Sequence, residues 1–370
     1  MRPIRTTIVL SATAATCLAL LPGSASAATN DTFRGAQFGL DQVKAEQAWP
    51  TSRGAGAVIA VVDTGVDLSH PDLQGQLVQG ATFTCDGKQS PCGNGDFKGP
   101  DGKNDGDEHG THVSGIAAAA AGNGIGIAGV APDAKIMPVK VLEAGSGSFE
   151  DIAAGIRWSV DHGAKVINLS LGALPGAQAL TYTGLISDTT DAVAYARGKG
   201  VVVVAAAGND FQVPLCGTPA FEDGALCVTS TDKRELPSVF SNNGIKPDLM
   251  AVAGPGGSLL PACGEDVVST VPAGTGRSAS CGYGTSYDEY AGTSMATPHV
   301  AGVAALLFAQ GRTADNVLDT LLTTSRQGVT GLRGTFTPQY GFGIVDAQAA
   351  VAAPGAATAT AKKGKGGGRG

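Results

Sequence analysis

The sequence predicts an α/β fold, a doubly wound, mostly parallel central sheet with helices on both faces. Three observations predict it. Short runs rich in β-branched residues alternate with longer Ala-rich stretches, and strand, helix, strand in this order means neighbouring strands that run parallel. The strand-like runs are predominantly apolar, as in strands buried on both faces. Finally, 43% of the 370 residues are apolar and only 15% charged, against roughly 25% charged in an average soluble domain, so a large core can be filled.

Taken in order, Val58 to Val62, Ile136 to Val141, Val166 to Leu169 and Val201 to Ala206 read as strands. Between them, His112 to Ala121, Asp151 to His162 and Thr189 to Arg197 read as helices, and Ser294 to Phe308 and Thr313 to Leu322 add two more near the C-terminus. The 55 glycines follow no collagen-like period and no repeat is visible, which excludes fibrous, solenoid and propeller architectures. A net charge of -7 and the lack of a basic stretch interleaved with aromatics argue against nucleic acid as a partner.

The ends differ from the body. Arg2 and Arg5 precede an apolar segment from Ile8 to Leu21, and Ala25-Ser26-Ala27 forms an A-x-A cleavage site. Residues 1–27 therefore read as a secretory signal peptide and the protein as extracellular. The segment is too short for a transmembrane span, and lipidation at Cys17 lacks a suitable lead-in. Residues 353–370 are Ala, Pro and Gly followed by Lys362, Lys363, Lys365 and Arg369, a disordered tail with nothing to bury. Its four charges on an acidic body permit attraction to an anionic cell surface, screened over about 8 Å at physiological salt. The solvated tail without a partner is the alternative.

Six cysteines remain after the signal peptide. In an exported chain they suggest three disulfides, and sequence proximity pairs neighbours: Cys85 with Cys92, Cys216 with Cys227, Cys263 with Cys281. Zinc is the competing reading, and the lack of CxxC or Cys/His ligand spacing argues against it.

In a parallel sheet of this kind, chemistry belongs in the crevice outside the carboxyl ends of the strands. Val61-Val62-Asp63-Thr64-Gly65 ends the first strand with a carboxylate and a turn glycine. Glu108-His109-Gly110-Thr111-His112-Val113 places a histidine at the start of a small-residue helix, and Gly292-Thr293-Ser294-Met295-Ala296-Thr297-Pro298-His299 places a serine at the start of a long apolar one. Asp, His and Ser are the types nucleophilic acyl transfer requires: a hydroxyl inert at its free pKa, a base to take its proton, and a carboxylate to hold the base in one tautomer.

Over nearly all of residues 35–352 the chain resembles the subtilisin-like serine proteases, the subtilases. The resemblance rests on the order Asp, His, Ser, on the three motifs above, and on Gly129-Val130-Ala131-Pro132, Val139-Lys140-Val141-Leu142, Asn168-Leu169-Ser170-Leu171-Gly172, Ala205-Ala206-Ala207-Gly208-Asn209 and Tyr340-Gly341-Phe342-Gly343-Ile344-Val345-Asp346-Ala347. It implies a peptidase domain over 28–352 with Asp63 as orienting carboxylate, His109 as general base and then acid, Ser294 as nucleophile and Asn209 as side-chain donor to the oxyanion. His112 is expected to pack behind His109, and His70, His162 and His299 to take no part in catalysis.

The same resemblance implies that Gly145, Ser146 and Gly147 on one side and Ser170, Leu171 and Gly172 on the other sandwich an extended protein or peptide substrate. The primary pocket is then walled by Leu171-Gly172-Ala173 and by Ala205 to Gly208, including Ala206 and Gly208, with Gly217 at its base. Small walls suit a large apolar side chain, whereas Asp210 at the rim suits a basic one; both stay open. Structural Ca2+ is implied at Asp72, at the Asn123 side chain and at the carbonyls of Ala121, Ile125 and Ile127, although Arg34 to Gln37 does not offer the glutamine ligand familiar from subtilisin. The cluster Asp101, Asp105, Asp107 and Glu108 is loosely EF-hand-like and reads as a solvated loop or a second ion site.

No inhibitory folding prodomain is expected, because Ala28 to Phe33 leads almost directly into Gly39 to Ala45. The implied function is a monomeric, secreted serine endopeptidase. A processing protease devoted to one partner protein, and a catalytically silent binding module, are the rivals.

Overall fold

The structure, a computed structural model, describes residues 29–84, 93–98, 108–172, 187–246 and 248–355. Seven strands, β1 (Val58–Asp63), β2 (Ala81–Thr82), β3 (Lys135–Lys140), β4 (Val166–Leu169), β5 (Val202–Ala206), β6 (Ala225–Thr231) and β7 (Ala251–Pro255), form one sheet in the order β2-β3-β1-β4-β5-β6-β7. Every pair in it is parallel. The antiparallel strands β8 (Val267–Thr270) and β9 (Tyr287–Tyr290) pair separately. The helices are α1 (Phe38–Val43), α2 (Ala45–Ala48), α3 (His109–Ala118), α4 (Phe149–Asp161), α5 (Asp188–Gly198), α6 (Thr293–Phe308), α7 (Ala314–Thr324) and α8 (Ala347–Ala352).

β1 shows why the sheet is covered on both sides. Ile59 and Val61 enter one core with α3 and α6, while Ala60 and Val62 enter a second with α4 and α5. All four are fully buried, and each buried Val or Ile contributes about 1.5–3 kcal/mol. In α6 every residue but Ser294 and Phe308 is buried, as expected of a helix that is apolar all round. In α4, Ser148 caps the start: its hydroxyl accepts from Asp151 N at 3.0 Å.

From β1 the chain builds β3 on one side and then crosses to β4 on the other. The carboxyl end of β1 is therefore the topological switch point, where open α/β sheets place their ligands. Two expected disulfides are formed, Cys216 to Cys227 and Cys263 to Cys281. Cys85 with Cys92, the segment 1–27, Asp101, Asp105 and Asp107, Ala173 and the tail from 356 lie outside the described residues. Among the described residues no helix is long and apolar enough to cross a membrane.

Candidate active site

Asp63 is the last residue of β1 and is fully buried. Its Oδ1 accepts from Thr64 N at 2.8 Å and lies 2.7 Å from His109 Nδ1. This approach depends on two glycines. Gly65 turns the chain at φ +95°, and a Cβ on Gly110 would sit 2.2 Å from Gly65 O, so only glycine lets the start of α3 lie against the β1 turn. Thr64 Oγ1 accepts from Gly110 N at 2.9 Å and ties the two elements together. His109 retains 27% side-chain exposure, which leaves the ring open to the crevice.

Ser294 is the second residue of α6. Pro298, four residues on, has no N–H, so the Ser294 carbonyl has no helical donor. Ser170 Oγ takes that place, donating to Ser294 O at 2.7 Å, and is itself held by Asn168 Nδ2 at 2.9 Å. In return Ser294 Oγ donates to Ser170 O at 3.1 Å. The Thr-Ser-Met-Ala-Thr-Pro motif thus anchors the serine to the end of β4.

Asn209 follows β5 and is exposed. Its Oδ1 accepts from Thr293 N at 2.9 Å and from Thr293 Oγ1 at 3.0 Å, which fixes the amide so that Nδ2 is the free end. A Cβ built on Gly292 would lie 3.4 Å from Asn209 Nδ2 and 3.6 Å from Ser294 N. Two donor nitrogens thus border the space in front of Gly292, one of them in the first helical turn, where backbone N–H groups lack helical acceptors. An oxyanion is what such a pair stabilises.

The flanking segments are edges. Glu143 and Ser146 exchange both backbone hydrogen bonds around Ala144 and Gly145, at φ 45° and 76°, a tight hairpin turn that leaves Gly145, Ser146 and Gly147 exposed. Ser170 is buried, Leu171 half-buried and Gly172 exposed. Ala206 and Gly217 are buried, and Gly217 N donates to Ala207 O at 2.7 Å, which ties the segment beside the Cys216–Cys227 bridge to the end of β5. Gly208 is half-buried at φ 106°. The Asp210 carboxylate, placed at the rim by sequence, binds Asn242 Nδ2 at 2.8 Å.

The other histidines have structural partners. His112 stacks on Tyr290 with ring centroids 4.3 Å apart and contacts Asp288 O at 3.1 Å. His299 bonds Met295 O at 2.8 Å. His70 meets Ser286 O at 3.0 Å, and His162 stacks on Trp158. Burial lowers His112 to about 3 and His299 to about 4. The unfolded chain, with imidazoles near the ordinary 6.5, thus takes up protons that the folded chain refuses. The stabilising contribution is whole above that value and is lost as pH falls from there through 4 for His299 and towards 3 for His112. The melting temperature is expected to drop over this window. His299→Asn, whose amide can still reach Met295 O, should flatten the slope by up to about 1.4 kcal/mol per pH unit. An unchanged slope in calorimetry would contradict it.

Asp72 is fully buried beside the 121–127 loop: Oδ1 accepts from Asn123 Nδ2 at 2.7 Å and Oδ2 from Ile127 N at 2.8 Å. Asp31, which sequence reasoning passed over, is 5% exposed and accepts from Gly122 N at 2.9 Å and Asn123 N at 3.1 Å. Burial, together with the Asp31 charge, pushes the Asp72 carboxyl up to about 6. Among the described residues no hydrogen bond reaches the carbonyls of Ala121, Ile125 or Ile127. Two buried carboxylates and spare carbonyls are a hard-oxygen donor set that fits calcium. Asn123 Oδ1 accepts from Ile125 N at 3.0 Å, and Gln37 bonds Ala128 through both ends of its amide.

A carboxylate-paired histidine at the end of β1 and a serine tied to the end of the neighbouring strand β4 are the arrangement expected of a serine hydrolase of the doubly wound class. Comparison narrows this further. The Subtilase family model matches residues 54–343, and the chain belongs to that family. It is 43% identical over 286 residues to thermitase of Thermoactinomyces vulgaris, covering 77% of this chain and 86% of thermitase. It is 36% identical over 320 residues to subtilisin E of Bacillus subtilis, covering 85% and 70%. Among solved structures, a protease from Pseudoalteromonas arctica matches with a TM-score of 0.71 and 33% identity, covering 88% of this chain and 98% of that one. The chain is accordingly a serine endopeptidase.

Proposed function

We propose that it is a secreted endopeptidase in which Ser294 attacks the scissile carbonyl, His109 carries the proton and Asp63 holds His109 in place. The observation that carries this reading is the 2.7 Å Asp63–His109 contact at the end of β1, with Ser294 bonded to Ser170 at the end of the neighbouring strand β4. Asp63 fixes the proton on Nδ1, so the other ring nitrogen is the base. As the hydroxyl proton moves to His109, the new imidazolium is stabilised by a buried carboxylate, and the oxygen charge forms where the two donors point. His109 then returns the proton to the leaving amine, and water repeats the cycle on the acyl-enzyme.

Substrate lies extended between Gly145–Gly147 and Ser170–Gly172, held by main-chain hydrogen bonds. The small walls at Ala206, Gly208, Gly172 and Gly217 admit a large apolar side chain. The Asp210–Asn242 bond favours this preference over a basic one. Residues 28–352 form the peptidase domain, 1–27 direct export and 353–370 are a Gly/Lys-rich extension in sequence. Purified full-length protein should cut casein into many fragments. Intact casein would instead support the silent binding module, and cutting of a single natural partner alone the dedicated processing enzyme.

Asp31, Asp72 and the carbonyls of Ala121, Ile125 and Ile127 would hold calcium, with Asn123 bonded to Asp72 beside it, and the ion would supply charge neutralisation between two buried carboxylates and no step of hydrolysis. Excess chelator is expected to lower the melting temperature while leaving initial rates at 25 °C unchanged. A native-only ligand at 100-fold its Kd adds about 2.7 kcal/mol. Asp31→Asn should weaken the calcium response, and equal melting curves with calcium and with chelator would remove the metal.

A further inference from the structure

We propose that Lys140 is a positioning residue that joins the turn holding Asp63 to the hairpin edge at Gly145–Gly147. It rests on the roles given above to Asp63, His109 and Ser294. Lys140 ends β3, is the register partner of Asp63 in β1, and is 1% exposed. An ammonium at that depth is costly unless it is well bonded. Its Nζ donates to Thr64 O and to Leu142 O, both at 2.8 Å, and lies 3.8 Å from Glu143 Oε2. Both carbonyls lie just beyond the strand ends and need donors.

The two ends lead to different parts of the site. Thr64 gives its N–H to Asp63 Oδ1 and its hydroxyl oxygen to Gly110 N, next to His109. Asp63 O accepts from Val141 N at 2.9 Å and Leu142 N at 3.3 Å. Glu143, which follows Leu142, opens the hairpin through its two bonds to Ser146. Lys140 thus clamps the orienting carboxylate to the root of the substrate edge. Removing the clamp lets both drift, and a misplacement of about 1 Å costs roughly 10²-fold in rate.

The test compares Lys140→Met, Lys140→Gln and Lys140→Arg on two substrates: a single-residue ester that fills the primary pocket only, and a tetrapeptide anilide that also reaches the hairpin. Lys140→Met and Lys140→Gln should lower kcat at least tenfold on both and raise KM for the tetrapeptide alone. Lys140→Arg should recover most of kcat. A residue serving stability alone would lower the melting temperature and leave kcat unchanged at 25 °C. A folded Met or Gln variant with unchanged kcat, or whose two KM values move together, overturns the proposal, as does failure of both to fold. Ser294→Ala on the same substrates separates the two levels: residual wild-type hydrolysis there would unseat the active-site assignment itself.

Discussion

Ser294→Ala is expected to lower kcat by about 10⁶-fold, a magnitude known from a subtilisin, and to leave the protein folded. What remains, roughly 10³–10⁴ over water, comes from the oxyanion donors and from binding. Folding should survive because the Ser294 hydroxyl donates a part-buried hydrogen bond to Ser170 O, while the bond that anchors the helix runs from Ser170 Oγ to the Ser294 carbonyl and does not depend on the side chain. A circular dichroism melt beside a tetrapeptide anilide assay checks both halves. Loss of activity with loss of fold would leave the hydroxyl without a demonstrated chemical role, and undiminished turnover would refute it.

Asn209→Ala should cost 10²–10³ in kcat, about 2.7–4 kcal/mol of transition-state stabilisation, with KM little changed, again a figure from a subtilisin. It should also reduce stability, because Asn209 Oδ1 accepts from Thr293 N at the start of α6. Losing a side-chain acceptor at a helix N-terminus typically costs about 1 kcal/mol. Asn209→Asp separates the effects: it keeps the acceptor oxygen and removes the donor, so the melting temperature should recover while kcat stays low. Kinetics of the Ala variant within threefold of the parent would contradict the assignment.

These residues were legible in sequence because each sits where fold and chemistry impose the same pattern. β1, β3, β4 and β5 are buried on both faces, so their runs are mostly apolar and Asp63 stands out at the end of one. β6 and β7 were not found. Thr229, Ser230 and Thr231 break the apolar run in β6, and Gly254 and Pro255 end β7. The β6 hydroxyls are satisfied only in three dimensions, as when Thr231 Oγ1 donates to Gln42 Oε1 across 189 positions. α3 begins at His109 and not at His112, since Gly110 weakens the helical signal while enabling the approach to Gly65.

Asp31 shows the limit most clearly. It lies in a polar N-terminal stretch with no motif around it, and only its hydrogen bonds to Gly122 and Asn123 bring it to Asp72. Lys140 similarly reads as the polar end of an apolar run, and its role rests on carbonyls from two strand ends. Asp210 read as a charged rim residue because Asn242, its partner, is 32 positions away.

The most direct measurement is labelling of the full-length protein with a fluorophosphonate, followed by peptide mapping of the adduct. An activated serine forms a covalent bond to phosphorus with loss of fluoride, which an ordinary surface serine does not do at a comparable rate. A single adduct on Ser294, abolished by prior denaturation and strongly slowed in His109→Ala, is the predicted result. Casein hydrolysis that proceeds with no adduct on Ser294, or with the adduct on another serine, would contradict the account.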